Sequence, residues 1–359
     1  PSSGMAFNEF IALGNPTNAT KLATNGTVYA FAPYNNTSLA YENFNVSGTN
    51  TLPQGLGYRV ATTSGENLTF TGEAETEDVT ITISTPTNGS QWNLIGNPYP
   101  SYISSTAFLA ANSTVLDPNP NLDPEATAIY GYNSGTYSGS DLEIGNFTII
   151  NNNSNSNLNI APGQGFFVAA NNTPGFSGTV TFKTTGTDMR TLVGANDFIE
   201  SRDNDTNYSL KLNLTNTNKS YSTSFYFNSN SSLGLDPGYD AAVFGANAPS
   251  FAIFSHLIEE NTGRDFAIQS LPVLDNINDI IVPLGVNANQ GEQITFSILE
   301  SSVPAAVTIY LEDTATNTTT VLNNSDYIIT PTTALSGTGR FFLRTSDATL
   351  STIDNTLDA

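Results

Sequence analysis

Val79-Thr80-Ile81-Thr82-Ile83 alternates an apolar side chain with a threonine at every step. Successive side chains of an extended chain point to opposite faces, so this pattern builds a strand with one face in a core and the other in water. The same period recurs at Thr179-Val180-Thr181-Phe182, Tyr208-Ser209-Leu210-Lys211-Leu212-Asn213-Leu214 and Thr308-Ile309-Tyr310-Leu311. The 28 Gly, 18 Pro and numerous Asn residues supply turns between such runs. A helical turn is expected only around Ser104 to Ala111, where Ser104 or Ser105 is placed to cap it. The chain reads as all-β.

Around this strand lies a motif that occurs twice. The first copy runs Phe10-Ile11-Ala12-Leu13-Gly14-Asn15-Pro16, Val28-Tyr29-Ala30-Phe31, Pro53-Gln54-Gly55-Leu56-Gly57-Tyr58 and Phe70-Thr71-Gly72. The second runs Trp92-Asn93-Leu94-Ile95-Gly96-Asn97-Pro98, Ile129-Tyr130-Gly131-Tyr132, Pro162-Gly163-Gln164-Gly165-Phe166 and Phe176-Ser177-Gly178. Four landmarks in one order predict a tandem duplication of a sandwich-like or jelly-roll-like β-unit, residues 1–90 and 91–186, packed as one domain. Offsets of 82 (Gly14 to Gly96), 101 (Tyr29 to Tyr130) and 110 (Gln54 to Gln164) imply insertions in loops, which tolerate length change. Matching Phe10 with Trp92 assigns the single tryptophan to a core instead of a sugar-stacking surface. A charged stretch, 187–206, reads as a linker, and 207–346 as a separate antiparallel β-sandwich ending in Arg340-Phe341-Phe342-Leu343-Arg344. Residues 347–359 read as a polar tail.

Composition removes several function classes. Ten basic residues stand against 32 acidic ones, a net charge of −22, which repels nucleic acid and anionic membrane surfaces. No cysteine is present, so disulfides, thiolate metal sites and cysteine nucleophiles are excluded. His256 is the only histidine, which leaves no His-based zinc site. No run of 18 apolar residues suggests direct membrane insertion. The start, Pro1-Ser2-Ser3-Gly4, has neither an initiator Met nor a signal peptide and reads as a mature or partial product.

The string Trp92-Asn93-Leu94-Ile95-Gly96-Asn97-Pro98-Tyr99-Pro100-Ser101, followed by Ala161-Pro162-Gly163-Gln164-Gly165-Phe166-Phe167-Val168, resembles the region before the C-terminal sorting domain of Bacteroidetes surface proteins exported by type IX secretion. Gly238-Tyr239-Asp240-Ala241, Phe266-Ala267-Ile268-Gln269-Ser270-Leu271-Pro272, Val282-Pro283-Leu284-Gly285 and Tyr310-Leu311-Glu312-Asp313 agree with it. The resemblance implies an extracellular or cell-surface address and an export machinery as partner, reached through a sorting domain that would begin near Thr349–Ala359. It brings no catalytic residues. Asp313-Thr314-Ala315 resembles the O-glycosylation pattern of such exported proteins, with Thr314 as acceptor.

Candidate sites are few. Asp236 and Asp240 flank Pro237-Gly238 and read either as a weak Ca²⁺ loop or as a capped turn. Asp117, Asp123 and Glu125 share one insertion, a candidate binding loop; Asp203 with Asp205 and Asp275 with Asp279 form further pairs. Tyr34, Tyr132 and Tyr137 read either as an exposed aromatic patch for glycans or as sheet packing. His256, followed by Glu259, Glu260 and Arg264, has no accompanying nucleophile motif. The expected function is therefore non-enzymatic: a structural or adhesive stalk, adhesin or fibre component that binds glycans or copies of itself. The alternative is a carbohydrate-binding accessory region of a secreted polysaccharide-degrading enzyme.

Overall fold

The alternation at Val79 is realised as a strand, Val79–Thr85, whose residues alternate inward and outward. It pairs antiparallel with Phe176–Phe182 along its whole length, from Val79↔Phe182 to Thr85↔Phe176. The computed structural model describes residues 4–112, 120–132, 147–153, 158–186, 188–191, 208–245, 247–273 and 280–346. The chain is all-β with short helices and divides into two compact units, Pro1–Asn204 and Asp205–Ala359. The expected linker, apart from 188–191, and the tail lie outside the described residues. No helix among the described residues is long and apolar enough to cross a membrane.

The first unit is a tandem duplication. Each copy opens with a short strand leading straight into a helix: Met5–Ala6 into Phe7–Ile11, and Tyr102–Ser104 into Ser105–Asn112. The strand pairs identically in both, Met5↔Leu52 and Ile103↔Ile160. One asparagine then ties each helix to a distant segment. Asn18 Nδ2 donates to the Phe10 and Thr69 carbonyls at 2.9 and 2.7 Å while its Oδ1 accepts from the Thr69 amide at 2.8 Å. Asn112 repeats this with Phe108 and Thr181 at 2.9, 3.1 and 2.7 Å. Further pairs coincide: Ala32↔Arg59 with Tyr130↔Phe167, Tyr34↔Tyr41 with Tyr132↔Phe147, and the bridge Leu22↔Thr62 with Leu122↔Ala170. Even the tight turns agree, Gly55 and Gly163 both at φ +71°.

These contacts correct the register read from the motif. The counterpart of Phe10 is Phe108, not Trp92: both phenylalanines are buried on the helix, and each ring meets its partner, Phe70 at 4.9 Å and Phe182 at 5.1 Å. Trp92 lies instead on a strand, Trp92–Gly96, for which the first copy has no counterpart among the described residues. Likewise Phe70 matches Phe182 and not Phe176, and Gln164 occupies the position of Leu56, one residue after the turn glycine. The physical reason is that Gly-Asn-Pro serves two different turns. Gly14 is left-handed at φ +89° beyond a helix, whereas Gly96 sits in a strand opposite Gly165. Trp92 is nonetheless 2% exposed, with Tyr130 edge-on at 4.6 Å, so it is core as expected. The helix at Ser105 also follows expectation, with Ser104 Oγ accepting from the Ala107 amide at 3.2 Å.

In the second unit one eleven-stranded sheet contains every strand among the described residues. Its order runs from Thr318–Val321 through Thr308–Asp313, Phe341–Ser346, Ile280–Asn287, Ala252–Ser255, Phe266–Pro272, Ser220–Asn228, Tyr208–Thr215 and Ile294–Ser301 to Tyr327–Ile329, with Ala241–Ala242 beside Phe266–Pro272. Neighbours are antiparallel except Ser220–Asn228 with Phe266–Pro272, which are parallel. Phe296 and Phe341 lie far apart in that order, yet their rings are 4.9 Å apart. The sheet therefore folds over itself, and Leu210, Leu212, Phe225, Leu284, Ile309 and Leu343 point into one shared core.

Candidate functional site

The carboxylates are taken up by turns. Asp123 is fully buried; its Oδ2 accepts from Gln91 Nε2 at 2.5 Å and its Oδ1 from the Glu125 amide at 3.1 Å, which caps the turn Pro124–Ala126. Asp117 and Tyr137 lie outside the described residues, as do Asp203, Asp205, Asp275 and Asp279. Asp236 accepts from the amide and hydroxyl of Ser232 at 2.7 and 3.0 Å. Asp240, fully buried, accepts from the Ser270 amide at 2.6 Å and the Asp236 amide at 2.7 Å. Each carboxylate thus accepts from the amide four residues before it, so the pair braces consecutive turns of the main chain. Among the described residues no cluster of three or more His, Asp or Glu side chains is placed to hold a metal ion.

Burial pushes the Asp240 carboxyl up to about 7, against the pull of the Ser270 and Asp236 amides. The folded chain therefore holds a proton that the unfolded chain, at 3.8, has released. Stability from this group is complete below pH 4 and is lost as pH rises through 7, a change of at most about 4 kcal/mol. Denaturation at pH 5 and pH 8 should show a larger fall for the native protein than for Asp240→Ser. Equal falls would remove Asp240 as the cause.

His256 is a strut. Its Nε2 lies 2.9 Å from Asp265 Oδ1, and Asp265 Oδ2 accepts from the Ala248 amide at 2.8 Å, so the ring ties the end of one strand to a neighbouring loop. Thr314 is exposed at the hairpin following Thr308–Asp313, its hydroxyl donating to the Arg340 carbonyl at 3.0 Å. The Asp313 beside it is fully buried. Arg340 grips it with Nε and Nη2 at 2.8 and 2.7 Å, and the Tyr327 hydroxyl donates to it at 2.8 Å. The aspartate of that three-residue string is thus explained by folding.

The duplication brings Tyr34 and Tyr132, equivalent positions, onto one aromatic face. Tyr34 meets Tyr41 at 5.4 Å and Phe167 at 5.2 Å; Phe147 meets Phe167 at 6.1 Å and Tyr132 at 5.7 Å. The Arg59 guanidinium lies 4.1 Å over the Tyr41 ring. Tyr132 is 47% exposed, so the face is packed within itself and partly open to water. Burial raises the hydroxyl pKa of both Tyr34 and Tyr41, Arg59 opposing it at the latter. Sequence reading found Tyr34 and Tyr132 but missed Tyr41, Arg59 and Phe147. The available signal was cross-strand alternation, since each is the partner of, or adjacent to, a residue already singled out.

A second concavity, of about 510 Å³, opens beside the first copy. Phe31, Leu52, Tyr58, Val60 and Phe70 supply its apolar wall. The Tyr58 hydroxyl is buried there with no hydrogen-bond partner among the described residues, and burial raises its pKa well above the ordinary value.

A family profile described as a domain of unknown function, DUF8693, matches residues 6–344. The chain belongs to this family. The match spans both compact units. No curated protein and no solved structure matches the chain.

Proposed function

We propose that this chain is a non-enzymatic structural and adhesive region of a secreted or cell-surface protein, exported by a type IX-like route. The observation that carries the reading is how the two copies join. The first copy's turn lies along the second copy's Trp92 strand: the Gly57 amide donates to the Leu94 carbonyl at 3.1 Å, and the Gly96 amide donates to the Gly55 carbonyl at 2.8 Å. Side chains at this joint could not fit, because a Cβ on Gly57 would lie 2.6 Å from the Ile95 carbonyl oxygen. Copies linked by main-chain hydrogen bonds make a stiff spacer, which a stalk or fibre requires. The Asn97-Pro98-Tyr99 string behind the export resemblance belongs to the same framework. Asn97 Nδ2 donates to the Ser101, Ile160 and Ala161 carbonyls at 2.8, 3.1 and 3.0 Å, and the Tyr99 hydroxyl to the Phe182 carbonyl at 2.7 Å.

The aromatic face around Tyr132 favours one second reading, glycan binding, because exposed rings beside an arginine suit sugar stacking. A glycan array separates the two. The structural reading expects no retained glycan and release of this region when intact cells carrying the full-length protein are shaved with protease. Retention of a glycan that is lost in Tyr132→Ala would replace it with the binding reading.

A further inference from the structure

The two copies differ in what closes their outer side. In the second copy Gly165–Ala169 is paired on both sides, with Ile129–Tyr132 on one and Trp92–Gly96 on the other, through Ile95↔Phe166 and Asn93↔Val168. A separate two-stranded sheet joins Val79–Thr85 to Phe176–Phe182. Two strands from different sheets thus cover this copy, and both precede its opening strand, Tyr102–Ser104, in the chain. Their Ile81, Ile83 and Ile95 share a core with Phe166, Val168, Val180 and Phe182.

The first copy presents the same receiving segments without those two strands. Its turn at 55–57 is taken up by Trp92–Gly96, but Arg59–Val60 pairs on one side only among the described residues, with Phe31–Ala32. The segment 64–70 corresponds to Phe176–Phe182, since Asn18 holds Thr69 as Asn112 holds Thr181. It is fixed in the same place, yet it forms no strand. A strand exists only against a neighbour that takes up its main-chain groups. Side-chain exposure follows the same division: Val60 is 39% exposed where Val168 is 0%, and Phe70 is 54% exposed where Phe182 is 0%. Both line the apolar cavity. The register says where the counterparts belong. Met5↔Leu52 matches Ile103↔Ile160, and Gly96 lies seven residues before Ile103, Val79 24 residues before it. Counted back from Met5, both positions fall ahead of Pro1.

We propose that the polypeptide preceding Pro1 in the intact protein supplies two β-strands that complete the first copy. One runs antiparallel to 58–61, as Trp92–Gly96 does to Gly165–Ala169; the other runs antiparallel to 64–70, as Val79–Thr85 does to Phe176–Phe182. The first buries Val60, the second buries Phe70, and their aliphatic side chains fill the cavity between. The occupant is the same chain and not a second molecule, because the second copy draws both of its strands from directly upstream, where tethering makes the pairing intramolecular. The pairing stands whether or not the region is adhesive.

The test compares the chain starting at Pro1 with the same chain extended by about 40 residues of its native upstream sequence, a length that leaves room for loops. Amide hydrogen exchange within 58–61 and within 64–70 should slow at least about tenfold in the extended chain, and two upstream stretches should be protected with them. Val60→Asp should lower the melting temperature of the extended chain and leave that of the shorter chain unchanged, since Val60 is open there. No slowing at one or both segments overturns the proposal, as does an equal effect of Val60→Asp on the two chains. Protection of the shorter chain that grows with protein concentration also overturns it, because a second copy would then be the occupant.

Discussion

Arg340→Met lowers the stability of the second unit by about 3–5 kcal/mol, the usual cost of leaving a buried carboxylate without its cation. Asp313 has no exposed surface, and Arg340 meets both its oxygens in the two-pronged geometry that a guanidinium alone provides. Burial opposes ionisation of Asp313, yet Arg340, the Tyr327 hydroxyl and the Ala315 amide overcome it and hold the carboxyl at about 2. The folded value lies below the ordinary 3.8, so this stabilisation is present above pH 4 and is lost as pH falls through 2. In the variant the carboxyl no longer has its cation, so the gap between native and variant should narrow steadily from pH 7 to pH 3. Guanidinium denaturation followed by circular dichroism gives the difference, and hydrogen exchange at Phe341–Ser346 locates it. Arg340→Lys should fall between the two, keeping the charge without the fork. A loss below about 1 kcal/mol for Arg340→Met would mean that water reaches Asp313.

How much of this was legible in the chain depends on the range of each interaction. Period-2 alternation is local, and it placed Val79–Ile83, Thr179–Phe182 and Tyr208–Leu214 as strands, which the structure extends to Val79–Thr85, Phe176–Phe182 and Tyr208–Thr215. Turn chemistry is local too, but it is not unique. Gly-Asn-Pro at Gly14 and at Gly96 looked like one landmark and is two, since a left-handed residue after a helix and a paired residue in a strand can carry the same letters. The helix Phe7–Ile11 is too short to show a period, and its reality rests on Phe7 and Phe10 being buried together. Asp313 and Arg340 lie 27 positions apart and meet because their strands are adjacent. Nothing in either neighbourhood announced that pairing. The aromatic face was half visible for the same reason: Tyr34 and Tyr132 stood out by composition, whereas Tyr41 and Phe147 belong to it only through strand register.

Phe108→Ala is expected to destabilise the first unit by about 3–5 kcal/mol, and Phe10→Ala by somewhat less. Phe108 is fully buried between the Phe166 ring at 5.4 Å and the Phe182 ring at 5.1 Å, both of which are themselves closed off from water. Truncation there leaves a cavity whose walls are held by strands on every side, so little of it can collapse. Phe10 is equally buried, but its partner Phe70 is 54% exposed and borders the open slot. That ring can shift inward, and the vacated space can reach solvent, which reduces the cavity penalty by about 1 kcal/mol. Trp92 is the single tryptophan and is buried in this unit, so its emission follows both variants without interference from the second unit. The comparison tests the register of the duplication directly. Equivalent positions should respond in the same direction and differ only through what covers them. A cost below about 1 kcal/mol at Phe108 would show that the helix Ser105–Asn112 is not held by this aromatic stack and would break the match with Phe10.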